Sequence, residues 1–183
     1  DIGADIIKIG MLLDAAMVRH VAKVIGTRAD VPRVVLDPVM VAKGGASLLE
    51  DEAVQVLREQ LIPLAWLVTP NIPEAETLTG IAVTNPADMA KAGAAILAMG
   101  AKNALIKGGH LEGDLLTDLL VTPQGNVSFE ATRIDSVHTH GTGCTLASAI
   151  ATGLAQGSDL ALSVAAAQAY VREAIRTAPE YGA

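Results

Sequence analysis

The sequence is poor in aromatic residues, which make up 2% of it, and it has one cysteine. With one thiol no internal disulfide can form. With so few rings, Ala, Val, Ile and Leu must fill the core. Basic residues are outnumbered, 13 Lys and Arg against 20 Asp and Glu, for a net charge of −7. A nucleic-acid surface needs a basic stripe, and none is found. Long apolar runs are lacking too. The longest uncharged window, Ser136 to Ser158, holds two His, four Gly and many Ser and Thr. A membrane-spanning helix would be mostly Leu, Ile, Val and Phe, so no membrane partner is expected. No signal peptide is visible, and a cytoplasmic protein is expected. Several phosphate motifs are also missing. There is no G-x-x-x-x-G-K-[ST] phosphate loop and no G-x-G-x-x-G dinucleotide turn. One Cys without a Cys-x-x-Cys pair argues against zinc at His138, His140 and Cys144.

What is present is 183 residues that are 51% hydrophobic and 18% charged. That excludes disorder and suits one domain over residues 1–183 with a substantial core. Short β-branched runs at 5–9, 33–36, 65–68 and 104–106 read as strands. Helical patterns at 14–25, 51–61 and 87–99 separate them. This β-α-β-α-β-α-β order predicts an α/β fold with a parallel sheet covered by helices. Thr117–Thr122 and Asn126–Thr132 flank Pro123-Gln124-Gly125 as a hairpin. Two more helices follow, at 144–155 and 159–177. The chain opens close to its first strand and without Met, so an N-terminal portion is expected to be missing.

In open parallel sheets ligands bind beyond the carboxyl ends of the strands. The exits here are Lys8-Ile9-Gly10-Met11, Asp37-Pro38-Val39-Met40 with Lys43-Gly44-Gly45, Thr69-Pro70-Asn71 with Glu74, and Lys107-Gly108-Gly109-His110. Carboxylates, a lysine and glycines together suit a phosphate and Mg²⁺. His140-Gly141-Thr142-Gly143-Cys144-Thr145 opens an apolar helix. Its glycines can turn backbone N–H groups toward one point, where the helix end adds positive charge. That makes an anion hole; alone, it is equally a Gly-rich loop feeding a packed Ala-rich helix. Cys144 in the first turn is expected to have a lowered pKa, or else to be a small buried hydrophobe. Asn71 and Glu74 form Asn-x-x-Glu, either a metal carboxylate with its support or an Asn turn before a helix start. Asp37 can likewise be a metal ligand or a strand-ending turn. Lys107 ends an apolar strand with few structural partners in sequence and suits a phosphate, or else is a solvated rim lysine.

These exits, together with Pro73-Glu74-Ala75-Glu76 and Thr139-His140-Gly141-Thr142-Gly143-Cys144-Thr145, resemble one family over essentially the whole chain. It is the bacterial hydroxymethylpyrimidine/phosphomethylpyrimidine kinases of thiamine biosynthesis, in the ribokinase-like superfamily. The resemblance implies a three-layer sandwich with a mostly parallel sheet and helices on both faces. It implies ATP-dependent phosphorylation of 4-amino-5-hydroxymethyl-2-methylpyrimidine and then of its monophosphate. Gly141, Thr142, Gly143 and Cys144 would form the anion hole, with Cys144 where most sugar kinases of the superfamily carry a base Asp. Lys107, Asn71 and Thr142 would meet phosphate or nucleotide, Asp37 and Glu74 would serve Mg²⁺, and Met11 would line the pyrimidine. A homodimer is implied. Two departures stand out. His138 occupies a place where the family carries Asn, and the family's opening strands and Gly-rich segment have no counterpart. The chain as it stands is therefore expected to be poorly active. Pyridoxal kinase activity on the same fold, a cysteine hydrolase built on Cys144, His140 and Asp135, and a non-catalytic nucleotide- or pyrimidine-binding module are the alternatives.

Overall fold

The computed structural model describes residues 3–28, 30, 32–40, 50–109, 111 and 113–179. Lys43-Gly44-Gly45 and His110 lie outside the described residues. Six strands form one sheet in sequence order: β1 Ile6–Ile9, β2 Arg33–Leu36, β3 Leu67–Val68, β4 Ala104–Ile106, β5 Leu115–Thr122 and β6 Gly125–Thr132. The first four run parallel, and β5 and β6 are antiparallel additions. The hairpin turns where Gly125 takes φ 138°, a conformation open to glycine.

Strand alternation divides the core in two. Val34, Leu36, Val68, Ala104 and Ile106 point to one face, against α1 Ala15–Gly26, α2 Asp51–Val56, α3 Ile72–Thr79 and α4 Pro86–Ala98. Val35, Leu67, Leu105 and Leu120 point to the other, against α5 Thr142–Ala155 and α6 Leu160–Arg176. Neither core needs aromatic bulk, because each layer is thin and filled by aliphatic residues and alanine. Helices on both faces make the expected three-layer sandwich.

Local chemistry sets the helix boundaries. Asp14 accepts the Met17 N–H at 2.8 Å and starts α1. Asp159 does the same for α6, accepting from Ala161 at 2.8 Å. The helix expected at 51–61 is α-helical only to Val56. It widens into a π turn at Leu57–Leu61 and tightens into a 3-10 turn at Ile62–Leu64 around Pro63. One helix was not anticipated. α3 follows β3 directly, and its eight residues with Pro73 near the start carry too little apolar periodicity to stand out.

Candidate active site at the strand ends

Period-two alternation places the polar exit residues. Lys8 pairs in register with Val35, so it shares the face that α5 covers. Asp37 and Lys107 follow Leu36 and Ile106, which face the opposite core, so they also turn toward α5. The backbone ladder continues one step past the strands and makes this rim rigid. The Asp37 N–H donates to the Ile9 carbonyl at 2.9 Å, Thr69 N–H to Leu36 at 2.9 Å, and Lys107 N–H to Pro70 at 2.9 Å.

Over this rim stands the N-terminus of α5. Gly141 is the residue before the first turn, at φ 77°, and no side chain caps the helix. The first amides, on Thr142, Gly143 and Cys144, have no intrahelical acceptor and carry the positive end of the dipole. The Thr142 hydroxyl is occupied, donating to the Thr139 carbonyl at 2.9 Å. Gly143 has a use beyond the one expected. It lies within the helix, and a Cβ on it would be 3.1 Å from the Lys107 ammonium. Its bare backbone gives that ammonium room.

Lys107 is not a solvated rim lysine. Its Nζ donates to Asp37 Oδ1 at 3.0 Å, with side-chain exposures of 13% and 2%. Thr69 donates its hydroxyl to the same oxygen at 3.3 Å. Asp37 Oδ2 is buried and, among the described residues, has no hydrogen-bond partner. A buried carboxylate oxygen left bare is costly, and a hard cation is the kind of group that satisfies it.

Cys144 faces this pair, and the structure reverses its expected acidity. Its thiol is pushed up from the ordinary value, first by burial and then by the hydrogen bond and charge of Asp37. The charges of Lys8 and Lys107 pull the other way without winning. The helix end favours thiolate, but partial burial, with the Asp37 carboxylate adding to it, outweighs that pull.

Asn71 and Glu74 are brought together as a capping box. Asn71 accepts the Glu74 N–H at 2.9 Å, and Glu74 accepts the Asn71 N–H at 2.7 Å. Asn-x-x-Glu before an apolar helix is therefore, first of all, a helix start. Glu74 is nonetheless 3% exposed and close enough to Asp37 to sense its charge. Burial raises its pKa most, with Asp37 adding to the rise; Lys107 and the Asn71 and Met40 amides oppose it. Met11 is exposed at the end of β1. His140 and Asp135 are exposed, and among the described residues no hydrogen bond joins His140 to Cys144. The hydrolase triad is not assembled.

Sequence reasoning passed over Asp118. This β5 carboxylate is half-buried, accepts the Gly108 N–H at 2.8 Å and is held by the Gln168 amide at 2.7 Å. It fixes the turn that follows Lys107. A lone acid within Leu115–Thr122 was the available signal.

Comparison with known proteins agrees with this geometry. The family description Phosphomethylpyrimidine kinase matches residues 1–183. The chain is 48% identical over 182 residues to the thiamine biosynthesis bifunctional protein ThiED of Geobacter sulfurreducens, covering 100% of this chain and 37% of that protein. It is 48% identical over 176 residues to a hydroxymethylpyrimidine/phosphomethylpyrimidine kinase of Streptomyces coelicolor, covering 96% and 64%. The chain thus spans less than two thirds of these relatives' lengths. An ADP complex of Bacillus subtilis pyridoxal kinase superposes with a TM-score of 0.90 at 37% identity, covering 99% of this chain and 68% of the other. The ribokinase-like arrangement expected from the motifs is therefore the fold observed. Fold, strand-end chemistry and whole-chain similarity converge, and the chain belongs to the phosphomethylpyrimidine kinase family.

Proposed function

We propose that this protein transfers the terminal phosphoryl group of ATP to the hydroxymethyl oxygen of 4-amino-5-hydroxymethyl-2-methylpyrimidine, and then to the resulting monophosphate. The observation that carries the reading is the uncapped N-terminus of α5, open over the strand ends and faced by the Lys107–Asp37 pair. Phosphoryl transfer passes through a loose transition state with charge spread over oxygens. Backbone amides from Thr142, Gly143 and Cys144 and the Lys107 ammonium are aimed where that charge develops. The acceptor oxygen forms its bond to phosphorus as the bridging bond to ADP breaks. Cys144 receives the hydroxyl proton. Lys8 and Lys107 favour the thiolate needed for this, while Asp37 restrains it.

The site also suits Mg²⁺, because Asp37 has a buried oxygen to offer. Asp37 would hold the ion, with Glu74 adding charge from its capping position. When bound, the ion neutralises phosphate oxygens. Asn71 keeps its side-chain N–H₂ for a phosphate oxygen while its carbonyl caps α3. Met11 lines the pyrimidine, and two copies of the chain associate.

Steady-state ADP release with hydroxymethylpyrimidine or pyridoxal as acceptor, in ATP and Mg²⁺, tests the reading. The pyrimidine is expected to have the higher kcat/KM. A preference for pyridoxal favours a pyridoxal kinase, a second reading supported by the likeness to the Bacillus subtilis enzyme. Binding of a nonhydrolysable ATP analogue with no ATP consumption on either acceptor favours the non-catalytic nucleotide-binding module, and absence of both binding and turnover overturns the kinase reading. Cys144→Ser should lower kcat while nucleotide affinity holds; an unchanged kcat removes Cys144 from the mechanism.

A further inference from the structure

Among the described residues, Lys107 and Lys8 reach the strand-end rim, and one of the two is neutralised. Lys107 is ion-paired with Asp37 at 3.0 Å. Lys8, among the described residues, makes no ion pair and no hydrogen bond. Its chain does not run out to solvent. It folds along the end of β1, so that its ammonium lies 2.8 Å from where a Cβ on Gly10 would stand. Gly10 thus leaves space for the ammonium at the rim. Lys8 also lies on the α5-covered face of the sheet, in register with Val35, the face toward which Asp37 and Lys107 turn. From Ile9 to Leu13 the β1 exit carries no other cation.

In the proposed kinase this exit, with Met11, is the acceptor side of the site, and any role for Lys8 there rests on that reading. The two acceptors differ in charge. The alcohol is neutral, whereas its monophosphate brings a phosphate that needs a cation when it leaves water. Lys107 already answers to Asp37 and faces Gly143 at the anion hole. We infer that Lys8 receives the phosphate of the phosphorylated acceptor and so makes the second transfer possible. A compact, flexible ammonium suits a group whose terminal oxygen must stay free to attack.

The test compares the unmodified chain with Lys8→Met and Lys8→Arg. Calorimetric titration with hydroxymethylpyrimidine and with phosphomethylpyrimidine gives affinities, and ADP release gives kcat/KM for each. The quantity read is the preference for the monophosphate over the alcohol. Lys8→Met should reduce it roughly 10- to 100-fold, as expected for one charge-assisted hydrogen bond. Lys8→Arg, which keeps the charge, should restore most of it. A preference untouched by Lys8→Met, or an equal loss for both acceptors, overturns the role of Lys8 and leaves the kinase reading standing. An unmodified chain that binds the alcohol but shows no gain for the monophosphate overturns the role as well. Failure to bind either acceptor overturns both. Matching thermal melts exclude a folding defect.

Discussion

Gly108→Ala is a one-methyl change whose cost can be worked out from its neighbours. A Cβ at Gly108 would lie 1.9 Å from the Thr117 carbonyl oxygen, 2.9 Å from its carbon and 3.4 Å from the Met89 methyl. Ordinary contact begins at 3.4 Å, and the nearest obstacle is backbone in β5, which cannot rotate away. The β4 exit must therefore move. Overpacking of this kind costs about 1–3 kcal/mol. The same movement pulls the Gly108 N–H from the half-buried Asp118 carboxylate, which it meets at 2.8 Å. Leaving that group unsatisfied adds about 1–3 kcal/mol. A loss of roughly 2–6 kcal/mol is a large share of the 5–15 kcal/mol that holds a typical domain. For a chain of this size the melting temperature should fall by roughly 5–20 °C. Gly109→Ala is the control, because nothing lies within 4 Å of its Cβ position and it does not have positive φ. Its melt should stay within about 2 °C of the parent. Thermal denaturation followed by circular dichroism decides. If Gly108→Ala melts with the parent, the close approach of β4 and β5 at this turn is wrong, and with it the account of how Lys107 is held.

Two further predictions concern charge. Cys144 is the single thiol of the chain, so iodoacetamide labelling reports on it alone. Asp37→Asn removes a group that raises its pKa, and the alkylation rate at neutral pH should rise roughly threefold or more. Lys107→Gln should slow it, and the opposite order would place the thiol away from this pair. Asp118 has its pKa raised by burial above the ordinary 3.8, against the pull of Gly108, Gln168 and Lys107. The native state thus keeps a proton that the unfolded chain has lost, and stability from this group falls as pH rises from 3.8 through the raised value. Urea midpoints of Asp118→Asn and the parent should diverge in favour of the variant across that window. A constant difference would show that Asp118 titrates normally.

The sheet and most helices were legible because each follows from local rules. β2 and β4 are short runs of apolar residues ending at Asp37 and Lys107, and Asp14 and Asp159 are plain helix caps. α3 was hidden, although Asn71 and Glu74 announced it, because the same two residues also read as a metal site. The start of α5 was legible as a motif, Gly141 to Cys144, but the motif alone does not separate an anion hole from a Gly-rich loop feeding a packed helix, because both need the same small residues.

Sequence by itself determined which residues stand at the ends of the strands, because alternation and strand punctuation are properties of neighbouring residues. Only the tertiary structure decided what those residues do to one another. Lys107 and Asp37 are 70 positions apart and become an ion pair only when β2 and β4 lie in one sheet. The Cys144 thiol sits at a helix end that should acidify it, yet packing α5 onto that pair partly desolvates the thiol and sets a carboxylate beside it, and its pKa is raised instead. Electrostatic outcomes depend on distance and burial, and both are fixed by packing between segments far apart in the chain.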